Sequence, residues 1–176
     1  MDQVAQQLVD LLDSCGTRLH ALLAKLTANR DAADELLQDL FVRMLRTSGI
    51  AEAPHPEAYL FRAAINLAFD WRKRTRRAPV FALLEVDVAA DNIGPLDRMV
   101  QHESVERVLA AIEQLSEQDR ELISLRFLQG ESPEWIAERW DSTPHQIRSR
   151  CSKAVARLRK LVEQDGTIHN SLETQK

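Results

Sequence analysis

The chain has 176 residues, enough for one ordinary domain or two small ones. With 44% hydrophobic and 28% charged residues it can bury a core, which excludes a wholly disordered chain, and only 5 Gly and 6 Pro argue against the many tight turns of a sandwich or barrel. A net charge of -4 excludes a protein that coats nucleic acid indiscriminately, although the charge is unevenly placed.

From Leu19 to about Thr47 the apolar residues recur at helical spacing, and Leu36, Leu37, Leu40, Phe41, Met44 and Leu45 trace one face of a helix. A stop at Ser48-Gly49 and a Pro54-His55-Pro56 loop follow. Tyr59, Leu60, Ala63, Ala64, Leu67, Ala68 and Trp71 then restart the period, predicting a second long helix packed on the first. It runs into Arg72-Lys73-Arg74-Thr75-Arg76-Arg77 and stops before Pro79.

Residues 78 to about 100 lose the helical period and accumulate Asp87, Asp91, Asn92, Gly94 and Pro95, the signature of a linker. Within it PVFALLEVDV reads as either a short strand or a helical turn. Helical pattern returns in three pieces: Val105 to Leu115, Glu117 to Leu128 behind a Ser116 cap, and a pair of helices beginning near Pro133 and Pro144. The tail from Gln164 is polar and is expected to fray. The fold expected is therefore all-α, two small helical domains joined by a linker: residues 1–78, a linker over 79–102, residues 103–164, and a tail over 165–176.

The C-terminal pair has the order of a helix-turn-helix. Ser132 caps a helix with Pro133 at its first position and Ile136, Ala137 and Trp140 on its inner face; Asp141-Ser142 turns the chain, and Thr143-Pro144 opens a longer helix. On that helix Ile147, Cys151, Ala154 and Leu158 form one inward stripe, which makes Cys151 a small core residue. His145, Arg148, Ser149, Ser152 and Lys153 point elsewhere. Arg148, Arg150, Lys153, Arg157, Arg159 and Lys160 place six basic residues within thirteen positions, as a helix entering the DNA major groove requires. A merely solvated basic face is the plainer alternative.

These two blocks resemble the extracytoplasmic-function sigma factors, bacterial transcription initiation subunits of the sigma-70 superfamily. AIEQLSEQDRELISLRFLQGESPEWIAERWDSTPHQIRSRCSKAVARLRKLV is similar to the family's fourth conserved region, which reads the promoter minus-35 element. DAADELLQDLFVRMLR resembles the helix that docks on the polymerase clamp, and PEAYLFRAAINLAFDWRKRTRR resembles the segment that opens and reads the minus-10 element. The reading helix departs from the family in beginning Pro144-His145-Gln146-Ile147, where a small residue followed by Thr-Val is common, and in carrying Cys151 for a usual Leu or Ile.

The resemblance implies roles for particular residues. Glu35, Gln38 and Asp39 are set against the polymerase clamp; Asn66 against an unpaired minus-10 base, where an amide both donates and accepts; and Arg72, Lys73, Arg74, Arg76 and Arg77 against minus-10 phosphates. His145, Gln146, Arg148, Ser149, Arg150 and Lys153 are set against the minus-35 duplex. The partners implied are core RNA polymerase, promoter DNA and an anti-sigma factor.

No catalysis is expected. The five histidines are scattered, with no Gly-rich phosphate loop, nucleophile motif or metal cluster, so neither a cofactor, a metal nor a small-molecule substrate is implied. Cys15 and Cys151 belong to no CxxC or Cys/His cluster, and the N-terminus lacks a basic leader before an apolar core. A cytoplasmic location without membrane insertion is expected. The competing reading is a free-standing helix-turn-helix regulator that binds duplex DNA alone, usually as a dimer.

Overall fold

The computed structural model describes residues 2–47, 49–77 and 95–173, with side chains over 5–47, 49–76 and 103–164. The described residues are almost wholly helical and contain no strand. The chain divides into two compact units, each with four α-helices among the described residues.

The N-terminal unit consists of α1 (Asp2–Thr27), α2 (Arg30–Arg46), the single turn α3 (Gly49–Glu52) and α4 (Pro56–Arg77). The helical spacing from Leu19 to Thr47 thus belongs to two helices. Between them Ala28 takes a left-handed φ of 52°, and Asn29 caps α2 by accepting from the Ala32 N–H at 3.0 Å. Helical periodicity passes through such a two-residue break almost unchanged, so only the cap marks it. The helix also extends back to Asp2, well before Leu19.

α1 packs on both α2 and α4, and α2 on α4. Their shared core contains Leu19, Leu22, Leu23 and Leu26 from α1, Leu36, Leu40 and Met44 from α2, and Leu60, Phe61, Ile65 and Phe69 from α4. Of the stripe expected on α2, Leu37 and Phe41 are half-buried and Leu45 is exposed, so the buried band is narrower than the sequence suggests. α4 is buried on several faces because it meets α1, α2 and α3. Arg18 ties α1 to α4 by donating from Nη1 to Glu57 Oε1 at 2.9 Å while its guanidinium lies 5.3 Å from the Phe61 ring centre.

The C-terminal unit contains α5 (Pro95–Glu113), α6 (Glu117–Ile123), a π-helical turn over Ser124–Gln129 that continues α6, α7 (Pro133–Arg139) and α8 (Pro144–Glu173). α8 packs on α5, α6 and α7. The core holds Leu109, Ile112, Leu122, Ile123, Leu125, Ile136, Ala137, Ile147 and Ala154. Gly130 ends the π turn at φ 86°, a left-handed conformation that favours glycine.

Two boundaries differ from expectation. α5 begins at Pro95, inside the stretch read as linker, with proline at the first helical position where its missing N–H costs no hydrogen bond. α8 continues to Glu173, through the tail expected to fray, since extending a formed helix is far cheaper than starting one and Gly166 alone costs only about 1 kcal/mol. PVFALLEVDV and the rest of residues 78–94 lie outside the described residues. No helix among the described residues is long and apolar enough to cross a membrane.

Candidate nucleic-acid interface

In the N-terminal unit, Glu35, Gln38 and Asp39 are exposed on the outer side of α2. With Leu36 they form one wall of a groove of about 580 Å³ whose other wall is Trp71, Arg74 and Thr75 of α4. The acidic face and the basic end of α4 therefore meet across one groove. Asn66 is half-buried, one helical turn from Arg62 and from Asp70, both exposed on the same stripe of α4. Lys73, Arg74 and Arg76 are exposed, with Arg74 Nε donating to the Asp70 carbonyl at 3.3 Å.

Arg72 behaves differently from its neighbours. It is 4% exposed, and its Nη1 donates to the Leu26 carbonyl at 3.3 Å, near the C-terminus of α1 where positive charge is favoured. A step of about 100° per residue turns Arg72 towards α1 while Lys73 and Arg74 face outward. It braces two helices, with its guanidinium turned into the unit and away from the exposed Lys73, Arg74 and Arg76. Arg77 ends α4, and its side chain lies outside the described residues.

The C-terminal unit has the helix-turn-helix geometry. Ser132 Oγ accepts from the Trp135 N–H at 3.0 Å and so caps α7; Asp141 then takes φ 48°, and the Ser142 N–H returns to the Ala137 carbonyl at 2.9 Å. α8 shows two faces. Ile147, Cys151 and Ala154 are buried and Leu158 half-buried, whereas His145, Gln146, Arg148, Ser149 and Lys153 are exposed. Burial pushes the Cys151 thiol above its ordinary range, as it does for Cys15 of α1, which suits packing and not reactivity.

Several of these side chains are already engaged. Arg148 Nη1 pairs with Glu134 Oε1 of α7 at 2.8 Å across an exposed surface. The Glu134 carboxyl is held below its ordinary value first by its own backbone N–H and then by Arg148. Arg150 turns towards α6: Nε donates to Asp119 Oδ1 at 3.0 Å, Nη2 to Gln118 Oε1 at 2.7 Å, and its guanidinium sits 5.7 Å from the Trp140 ring centre. Arg157 Nη1 donates to Asp119 Oδ2 at 3.0 Å. One carboxylate thus clamps two arginines of α8.

Nothing local in the sequence marks Asp119 or Glu134 as the partner of an arginine. Ser116-Glu-Gln-Asp119 does carry a capping pattern, and Ser116 Oγ accepts from the Asp119 N–H at 3.2 Å, but the arginines that meet the carboxylate lie 31 and 38 residues on. Among the described residues no cluster of three or more His, Cys, Asp or Glu is arranged to hold a metal ion.

Residues 11–78 match the family model for Sigma-70 region 2, and residues 111–160 match that for Sigma-70, region 4. The chain is 26% identical over 159 residues to the ECF RNA polymerase sigma factor SigX of Bacillus subtilis (strain 168), spanning 87% of this chain and 82% of that protein. It is 28% identical over 155 residues to the RNA polymerase sigma factor CarQ of Myxococcus xanthus, spanning 87% of each. Among solved structures, the sigma factor RpoE in complex with the anti-sigma factor NepR from Bartonella quintana aligns at 23% identity and a TM-score of 0.47, covering 93% of this chain and 98% of that one.

Proposed function

The chain belongs to the extracytoplasmic-function group of the sigma-70 family, and on that premise we propose how its two units divide the work of promoter-specific initiation. Residues 1–78 dock on core RNA polymerase through Glu35, Gln38 and Asp39, and read the melted minus-10 strand through Asn66 with Lys73, Arg74 and Arg76 on phosphates. Residues 103–164 read the minus-35 duplex through the outer face of α8. Residues 79–102 join the two. The protein acts in the cytoplasm and performs no covalent chemistry, and an anti-sigma factor occluding these surfaces is its regulatory partner.

The observation that carries this reading is the division of α8. An apolar stripe anchors it against α5, α6 and α7, and the opposite face is a row of exposed hydrogen-bonding side chains about three turns long. A helix presented in this way fits the roughly 12 Å wide major groove. The net charge of -4 gives the free protein little general attraction for DNA. Polymerase supplies what is missing by holding both units at once, which raises the effective concentration of each for its own element.

The experiment is transcription by purified core polymerase, with and without this protein, on a promoter library. Initiation that depends on the protein and selects two elements one linker apart supports the proposal. Binding of the free protein to a palindromic duplex, with no effect on polymerase, would support a free-standing regulator instead.

A further inference from the structure

The first turn of α8 sets the polarity of one outward side chain. Thr143 caps the helix, its Oγ1 accepting from the Gln146 N–H at 3.3 Å. Gln146 reaches back in return: Oε1 accepts from the Thr143 N–H at 3.0 Å, from Ser142 Oγ at 2.9 Å and from Thr143 Oγ1 at 3.2 Å. This is a reciprocal capping box, Thr-x-x-Gln. The identity of the amide atom follows from chemistry. A backbone N–H can only donate, so the atom facing Thr143 N is the carbonyl oxygen and the amide nitrogen points away from the cap.

The consequence concerns base reading. A free glutamine side chain reads adenine in the major groove by accepting from N6 while donating to N7. Gln146 has its acceptor occupied by three donors, and moving it to a base would give up the capping box, leaving the exposed Thr143 N–H and the Ser142 hydroxyl to water. What it retains is the pair of Nε2 hydrogens. Gln146, Ser149 and Lys153 recur at helical spacing along one exposed edge of α8, so those hydrogens belong to the face described above.

Resting on the reading of the C-terminal unit as the minus-35 reader, we propose that Gln146 is a donor-only specificity residue that selects guanine, whose N7 and O6 take both Nε2 hydrogens, and discriminates against adenine. The capping box is the device that converts a two-way amide into a one-way reader. Because that box is local, the preference travels with Thr143 and Gln146 and is independent of the Arg148 contact.

The test uses the full chain assembled with core polymerase and a promoter library randomised over the upstream element, read by sequencing of the transcribed templates. Wild-type protein is expected to prefer guanine over adenine by about tenfold at one position, a ratio within the range of a good base contact. Gln146→Ala should flatten that position. Gln146→Glu is the informative variant, since a carboxylate keeps the capping box and the helix but has no hydrogens to donate; it should turn the position from guanine towards cytosine, whose N4 donates. Adenine selected by wild-type protein at the position that Gln146→Ala flattens, guanine retained by Gln146→Glu, or no position altered by either variant while initiation persists would each overturn the proposal. Failure of the wild-type chain to direct initiation on any template would instead refute the sigma reading on which it rests.

Discussion

Asp119→Ala removes the carboxylate that holds α8 against α6, and the structure sets the size of the effect. The Asp119 side chain is 13% exposed and accepts one bond from Arg150 and one from Arg157, both at 3.0 Å. A hydrogen bond to a charged group contributes about 1.5–3 kcal/mol, but the two arginines keep 37% and 61% of their exposure and recover water when released, which places each bond at the low end. Asp119 also lies in the first turn of α6, where a negative charge adds about 0.5 kcal/mol. The expected loss is about 3–4 kcal/mol, confined to the C-terminal unit. Urea unfolding followed by tryptophan fluorescence measures it. Of the three tryptophans only Trp71 lies in the N-terminal unit, so a Trp71→Phe background leaves Trp135 and Trp140 as reporters of the other. With a slope of about 1 kcal/mol per molar urea for so small a unit, the midpoint should fall by about 3–4 M. Adding Arg157→Ala should then cost little more, because its partner is already gone. A loss below about 0.5 kcal/mol would refute the reasoning, since that is the yield of a solvated surface pair.

Four further outcomes are expected. Arg72→Ala should destabilise the N-terminal unit by about 2 kcal/mol without changing the salt dependence of promoter binding by the polymerase complex, whereas Lys73→Ala and Arg76→Ala should each lower the salt slope by about 1; an equal change in slope for Arg72→Ala would place it on phosphate. Glu35→Arg with Asp39→Arg should abolish co-purification with core polymerase at unchanged circular dichroism, because both residues are exposed; wild-type recovery would refute the docking face. Glu134→Gln frees Arg148 and should strengthen duplex binding by the polymerase complex on all sequences. The Glu134 carboxyl is lowered in the folded protein, so its pairing is complete above the ordinary value near 4.5 and is lost as pH falls through the folded value; thermal melts of wild type and variant should accordingly differ at pH 7 and converge under acid. Arg148→Ala should weaken upstream recognition by about 1–3 kcal/mol even on a pre-melted template, while Asn66→Ala should recover activity there because the unpairing cost has already been met; uniform weakening of both across all sequences would reduce the two residues to phosphate contacts.

Much of this molecule was legible because the governing interactions are short in sequence. Ser116, Ser132 and Thr143 cap the helices that follow them because an N-cap bonds two or three residues ahead. The stripe of Ile147, Cys151 and Ala154 follows from helical spacing alone, and with it the identity of the outward residues. Even the reciprocal bond that Gln146 accepts from the Thr143 N–H is a four-residue pattern, present in the sequence as Thr-Pro-His-Gln.

What the sequence could not decide depends on how helices rotate and meet. The break at Ala28 and Asn29 hides within a continuous apolar rhythm, because both flanking helices keep the same period. Five basic residues in the six positions from Arg72 to Arg77 look equivalent in one dimension. Packing of α4 on α1 buries Arg72 against the Leu26 carbonyl and leaves Lys73, Arg74 and Arg76 outside. In the same way Asp119 reads as an ordinary capping-turn acid until α8 brings Arg150 and Arg157 to it, and Glu134 as a solvated charge until the turn at Asp141 sets α7 beside Arg148. Periodicity and caps are properties of a few adjacent residues and are written locally; the partner of a long charged side chain is chosen by elements that meet only after folding, and tertiary packing alone makes that choice.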